Sequence, residues 1–365
     1  MKLLAKIPYR LLCTVCATPV LFVFLNPALP IARLRAQANV IRPGTTWLDE
    51  SGRPIDAHGG SVVLWQGIYY WFGEARGLEQ ESQRRFVNCY ASSDLVHWTF
   101  RRTVVALNDP ESLGRNWVLE RPKVFVSSAG KFVMYAHLDN ADYKVARVAL
   151  FVADTIDGEY RYQRSFRPLG KESRDIGQFV DDDDRAYLIF ESRPSHGFFI
   201  AALTADALQV DREVSFLPMP LEGGALVRYR GRYYVVGSQL TGWAPNPNLY
   251  AVADSLSGPW SLFHDIAAPA VKTYGAQSSL LFSVHGTQTD SVIFMGDIWQ
   301  PQALPTSTYL WMPLEIHGKD LVLPPPQPWT IDVRSGQTTV LSVESDVHSP
   351  SAGARRSAIV DESRK

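Results

Sequence analysis

Ile68-Tyr69-Tyr70-Trp71-Phe72 is the first of five short runs that decide the fold. The others are Phe132-Val133-Met134-Tyr135, Ala186-Tyr187-Leu188-Ile189-Phe190, Tyr233-Tyr234-Val235-Val236 and Val292-Ile293-Phe294-Met295. They start roughly 50 to 60 residues apart, a spacing typical of repeat architectures. Their aromatic and β-branched residues suit a pleated, half-buried surface. A turn precedes each run: Gln66-Gly67, Ala129-Gly130, the acidic stretch Asp181 to Asp184, Arg230-Gly231, and a longer segment through His285-Gly286-Thr287. Another apolar stretch precedes each turn, at 61–64, 123–126, 176–180, 225–228 and 280–283, so each unit opens with a hairpin.

A second motif follows several of these hairpins. It reads Ala91-Ser92-Ser93-Asp94, Ala153-Asp154-Thr155-Ile156-Asp157-Gly158 and Ala253-Asp254-Ser255-Leu256-Ser257-Gly258, with a weaker copy at Thr204-Ala205-Asp206. Each has the form of a third strand ending in an Asp-led turn before a fourth. Five units of four strands predict an all-β, five-bladed β-propeller over 41–338. A β-sandwich would not need five units of matched internal order.

Bulk properties narrow the partners. The chain has 365 residues, 46% of them hydrophobic, enough to build a large core. Net charge is −1, and the doublets Arg84-Arg85 and Arg101-Arg102 are too short to track a phosphate backbone, so nucleic acid is excluded as a partner. The eight histidines lack zinc-ligand spacing, and no phosphate loop, dinucleotide fingerprint or nucleophile elbow occurs. No metal and no cofactor is expected. The acidic run at 181–184 reads as solvated turn chemistry rather than a calcium loop. The aromatic content, 12%, suits sheet packing and also sugars, whose C–H faces stack on flat rings.

The two ends read differently. Lys2, Lys6 and Arg10 precede an apolar run from Leu11 to Leu25 that Asn26, Pro27 and Pro30 terminate. This is the layout of a secretory signal, so residues 1–38 are expected to be a signal peptide and the protein exported. An uncleaved anchor, giving a membrane tether, is the alternative, although the run is shorter than the ~20 residues of a spanning helix. Cys13 and Cys16 lie in this segment, which leaves Cys89 alone and no intrachain disulfide in the mature chain. Residues 342–365 are polar and rich in small residues, the composition of a disordered tail.

Aligning the five units places His58, Glu120, Asp175, Glu222 and Gln277 at equivalent positions, where the innermost strands begin. In a propeller these positions meet at one mouth of the central channel. Carboxyl groups gathered there raise one another's pKa, the condition for a general acid that keeps its proton near neutral pH. The bland alternative is a solvated mouth, with Arg121 and Arg174 each neutralising its neighbouring carboxylate.

Longer motifs carry a resemblance. They are Pro43-Gly44-Thr45-Thr46-Trp47, Asp56-Ala57-His58-Gly59-Gly60, Glu120-Arg121-Pro122-Lys123, Ser173-Arg174-Asp175, Thr241-Gly242-Trp243-Ala244-Pro245-Asn246, Gln277-Ser278-Ser279 and Gly296-Asp297-Ile298-Trp299. Together they resemble glycoside hydrolase family 43, in particular its exo-β-1,3-galactanase branch, from about Ile41 to Asp332. The resemblance implies an inverting hydrolase with an oligo- or polysaccharide substrate. The family's usual blade-one Asp base is replaced here by His58, as in that branch. It implies Glu222 as the general acid, Glu120 as a second essential residue, and Gln277 in a base-like role. Asp175 would tune the acid or bind substrate; His58, Tyr143, Trp243 and Trp299 are further substrate-binding candidates. Inverting acid and base usually stand about 6.5–9.5 Å apart, a separation expected of Glu222 and Gln277 on adjacent blades. The sequence departs from the branch at Gly223-Gly224, where Ala-Pro is usual, and at Gly177-Gln178 and Ile298. Two alternatives stand beside galactan hydrolysis. An arabinofuranosidase or xylosidase is disfavoured by the missing blade-one Asp, and a non-catalytic sugar-binding propeller by retention of both Glu120 and Glu222.

Overall fold

The computed structural model describes residues 39–77 and 83–341. The expected signal or anchor at 1–38 and the expected tail at 342–365 lie outside the described residues.

Four of the five units fold as four-stranded antiparallel sheets. Blade one is β1 (His58–Trp65), β2 (Ile68–Glu74), β3 (Arg85–Ser92) and β4 (Thr99–Leu107). Blade two is β5 (Val118–Val126), β6 (Phe132–Asp139), β7 (Arg147–Ala153) and β8 (Arg161–Phe166). Blade three is β9 (Ile176–Val180), β10 (Ala186–Ser192), β11 (Gly197–Leu203) and β12 (Val210–Leu217). Blade four is β13 (Leu221–Tyr229), β14 (Arg232–Gln239), β15 (Asn248–Ala253) and the two-residue β16 (His264–Asp265). Each of the five runs is the second strand of its blade, and the stretch before it is the innermost.

Blade five departs from the expected four strands. Among the described residues it holds three, β17 (Gln277–His285), β18 (Asp290–Ile298) and β19 (Thr308–Pro313). Two short ribbons follow: β20 (Glu315–His317) with β21 (Asp320–Val322), and β22 (Trp329–Asp332) with β23 (Gln337–Val340). The N-terminal segment borders β19 instead. Gly44 N donates to Tyr309 O at 2.8 Å, and Ile41 exchanges two backbone hydrogen bonds with Trp329. The first described residues thereby tie onto the last blade and close the ring.

Aromatic packing seals this join. Trp71 of β2 lies 4.7 Å from Trp311 of β19, 5.3 Å from Trp98 and 6.1 Å from Trp47, ring centre to ring centre. Trp71, Trp98, Trp311 and Trp329 are buried, and the Trp329 indole donates to Trp311 O at 2.8 Å. Offset and edge-on aromatic pairs contribute about 0.5–1.5 kcal/mol beyond the apolar area they bury. Among the described residues no disulfide is present, and Cys89 is buried and free. Among the described residues no helix is long and apolar enough to cross a membrane.

Because closure depends on this seam, Trp71→Ala should lower unfolding free energy in urea by about 3–5 kcal/mol. Leu262→Ala, at a side chain 82% exposed, should leave it nearly unchanged.

Candidate active site

The five residues at equivalent positions do converge at one channel mouth. His58 and Gln277 open β1 and β17, Glu222 is second in β13, Glu120 is third in β5, and Asp175 immediately precedes β9. The broad cavity of about 1000 Å³ lies at the opposite mouth, walled by the far ends of the inner strands such as Leu64, Phe125, Phe179 and Phe282. It contains none of the five.

A shared backbone device aims these side chains. β1, β5, β13 and β17 each slip register just after the site residue. In the first three the slip passes through a positive φ, at Gly59 (+56°), Arg121 (+53°) and Gly223 (+63°). Such bulges bend a strand and re-aim its side chains. They explain the alternation of site residue and Gly-Gly or Arg-Pro seen in the sequence.

A second polar ring lies behind the first. The antiparallel hairpins place the end of each second strand beside the start of its inner strand. His58 pairs with Glu74, Glu120 with His137, Glu222 with Ser238 and Gln277 with Asp297. In blade three Glu191 N donates to Asp175 O at 3.1 Å. All five of these partners are buried. Sequence reading missed them, although each lies five or six residues beyond the start of its blade's hydrophobic run.

Arg121 and Arg174 do not each neutralise their chain neighbour. The bulge turns Arg121 across the channel, where its Nε lies 2.7 Å from Asp175 Oδ2. Its Nη1 donates to Ser278 O at 3.0 Å and its Nη2 to the Gln277 carbonyl. Arg174 turns away and bonds Tyr143 O and Glu172. The guanidinium on Glu120 is that of Arg76, at 3.0 Å, which also pairs with Glu74.

Gln277 is held at every polar atom. Its Oε1 accepts from Arg121 and from Trp299 Nε1, the latter at 2.9 Å. Two N–H donors on one side fix which end of the amide faces them. The amide nitrogen therefore turns the other way, donating to Glu222 Oε1 at 3.0 Å and Ser238 Oγ at 3.1 Å. The expected gap between Glu222 and Gln277 is thus absent, because adjacent inner strands converge at the mouth and bring the side chains into contact.

The carboxyl groups differ sharply in proton affinity. Burial, then the charges of Asp175 and Glu191, push Glu222 up to about 8 against the opposing Arg121 and Arg193. For Glu120 burial acts in the same direction, but the His137 imidazole at 3.4 Å and the Arg76 charge outweigh it and hold it well below the usual carboxylate range. His137 stands between Glu120 Oε2 at 3.4 Å and Asp139 Oδ2 at 3.1 Å. Burial disfavours its charge, yet these two carboxylates push it up to about 9. Glu120, His137 and Asp175 bring ligand atoms within 4.8 Å of one another. A dication there would have to displace the guanidiniums of Arg76 and Arg121.

The remaining candidates are distributed around this centre. The Tyr143 hydroxyl donates to Glu120 Oε1 at 3.1 Å. Trp243, 44% exposed, meets Trp299 edge-on at 5.4 Å and forms the rim beside Gln277. His58 is placed differently from its expected contact with substrate. It is 1% exposed, stacked on Tyr309 at 4.9 Å and bonded to Asp297 Oδ1 at 3.1 Å, so it supports the ring from beneath.

The chain belongs to glycosyl hydrolases family 43, whose family model matches residues 55–287. Among solved structures it is similar to an exo-β-1,3-galactanase of Phanerochaete chrysosporium solved with galactose. The two are 36% identical, over 83% of this chain and 71% of that one, with a TM-score of 0.77. It is also similar to an exo-β-1,3-galactanase of Clostridium thermocellum, at 34% identity over 84% of this chain and 70% of that one, TM-score 0.78. A variant of the Phanerochaete enzyme has been solved with β-1,3-galactotriose. No curated protein matches.

The departures at Gly177, Gly223 and Gly224 form one packing unit. A Cβ on Gly223 would stand 2.6 Å from Ser278 O, and one on Gly177 would stand 2.0 Å from Gly224 O. The backbones of β9, β13 and β17 approach too closely here for side chains. Gly223→Ala should therefore destabilise the protein by about 1–3 kcal/mol in urea, through the positive φ and the clash together. Gly52→Ala tests the φ cost alone, since its φ is +81° with no atom near the added carbon; its effect should be the smaller.

Proposed function

We propose that this protein is an exo-acting, inverting glycoside hydrolase that releases galactose from β-1,3-linked galactan, with Glu222 as general acid. One observation carries the acid role: Glu222 is a buried carboxyl, and burial together with the charges of Asp175 and Glu191 pushes it up to about 8. Similarity to the two exo-β-1,3-galactanases supports the substrate. The family 43 match and the signal-like N-terminal sequence support an exported enzyme acting on saccharides. An arabinofuranosidase or xylosidase is disfavoured because the blade-one position holds His58 and that side chain is buried.

In this reading Glu222 gives its proton to the glycosidic oxygen as the bond to the anomeric carbon breaks. Water attacks the opposite face of the sugar and gives up a proton to a carboxylate there. Gln277 lies on the acid's own side and donates to it, which makes it the group that orients Glu222. Glu120 starts blade two, across the mouth from blade four, and Arg76 and His137 hold it ionised. In this reading it is the carboxylate that accepts the water's proton, acting as a weak base because its proton affinity is held down. Asp175 keeps the proton on Glu222, while Tyr143, Trp243 and Trp299 line the sugar's approach.

Incubation with β-1,3-galactotriose, whose first exo cut releases one galactose and leaves galactobiose, tests the reaction by proton NMR. The first product signal should be α-galactose, the inverted anomer. β-Galactose first, or no hydrolysis of any galactan, would contradict the reading. Glu222→Gln should lower kcat by about 10²–10⁴-fold while saccharide binding persists. The pH dependence has a definite sign. A general acid works only while protonated, so kcat/KM should hold at neutral pH and fall as pH rises through about 8.

A further inference from the structure

Glu191 and Arg193 are absorbed by neither the ring of five nor the family resemblance. Glu191 ends the hydrophobic run of β10, and Arg193 follows on the turn to β11. Arg193 Nε lies 2.8 Å from Glu191 Oε1, and its Nη2 lies 3.4 Å from Glu222 Oε2. One guanidinium thus spans two carboxyl groups from neighbouring blades. The burial of the three is unequal: the Glu191 side chain is 2% exposed, Glu222 9% and Arg193 47%. Glu191 Oε2 is buried with no hydrogen-bond partner, so Arg193 carries its neutralisation. The Gln277 amide already occupies Glu222 Oε1. The oxygen Arg193 touches is therefore the one left for a leaving group.

We propose that Glu191 and Arg193 are a pair of positioning residues that set the proton affinity of Glu222 from opposite sides, the buried carboxylate retaining the proton and the exposed guanidinium weakening that hold. It rests on the acid role given to Glu222 above. Glu222 is also faced by Asp175 at the head of β9 and by Arg121 from β5, with neutral Gln277 on β17 and Ser238 on β14. Asp175 and Arg121 are bonded to each other at 2.7 Å and are locked into the ring. Arg193 differs in reaching the acid from the solvent side. A saccharide entering over Oε2 must pass it, so loading the site and adjusting the acid become one event. Glu191 supplies the carboxylate against which Arg193 acts; burial and Asp175 push its own pKa up, and the Arg193 contact opposes that rise.

The two members predict shifts of opposite sign, which a merely structural role would not produce. The test is a ¹³C NMR titration of protein labelled at glutamate Cδ, with the Glu222 signal assigned by its absence in Glu222→Gln. Arg193→Gln should raise the Glu222 midpoint by roughly half to one pH unit, and Glu191→Gln should lower it by a similar amount. Arg193→Lys, which keeps the charge, should move it least. Midpoints that stay put in both neutral variants, or that move in the same direction, would overturn the proposal. The readout needs no substrate. Opposite shifts in a protein that cuts no galactan would uphold the couple and remove the proposed activity; hydrolysis without the shifts would do the reverse.

Discussion

The buried guanidinium of Arg121 is the contact on which the site depends. It starts in blade two and reaches Asp175 of blade three together with Gln277 and Ser278 of blade five. Its own backbone N–H donates to Glu74 of blade one at 2.7 Å. Burying such a charge is costly unless its donors are matched by acceptors, and breaking one partner leaves the rest stranded. Here the acceptors come from separate blades, so the ring must be closed before the charge is satisfied. Lys123, two residues on, repeats the arrangement one layer deeper. Its ammonium donates to Gly59 O, Gly60 O and Ser279 O at 2.9, 2.6 and 3.0 Å, which uses all three of its protons.

From this hub the chemistry of the ring follows. Arg121 and Trp299 together decide which way the Gln277 amide points, and that direction gives Glu222 a hydrogen-bond donor. Asp175, held by Arg121 and by the Gly223 N–H at 2.9 Å, is kept close to Glu222. Carboxyl groups on adjacent blades are thus forced together and kept from separating. One of them takes up a proton, while Glu120, enclosed by Arg76 and His137, stays charged. The same ring therefore holds one carboxyl group pushed up in pKa and another held down.

Much of this was legible in the sequence, and the part that was not has a physical cause. The blades were legible because hydrophobic runs, turns and Asp-led corners recur in fixed order. The ring of five was legible because strand starts are countable from those runs. Contacts between blades were not, since propeller neighbours meet across long sequence separations. Arg121 illustrates this: beside Glu120 in the chain, it serves Asp175 because a positive φ turns it across the axis. The separation expected for Glu222 and Gln277 assumed strands that stay apart at the mouth, whereas they converge. His58 looked like a channel residue by alignment, but its ring is covered by Tyr309 and tied to Asp297. The second ring, with Glu74, His137, Glu191, Ser238 and Asp297, follows the same register one strand outward, five or six residues beyond the start of each hydrophobic run.

In the proposed mechanism the leaving-group oxygen meets Glu222 on the side that Gln277 leaves open, with Glu120 across the sugar. The most direct measurement is a crystal structure of the Glu222→Gln protein with unhydrolysed β-1,3-galactotriose. The terminal glycosidic oxygen should lie within hydrogen-bonding distance of the side chain at position 222, with Glu120 on the opposite face of the terminal ring. A glycosidic oxygen seated against Glu120, with position 222 remote from the bond to be cleaved, would contradict it.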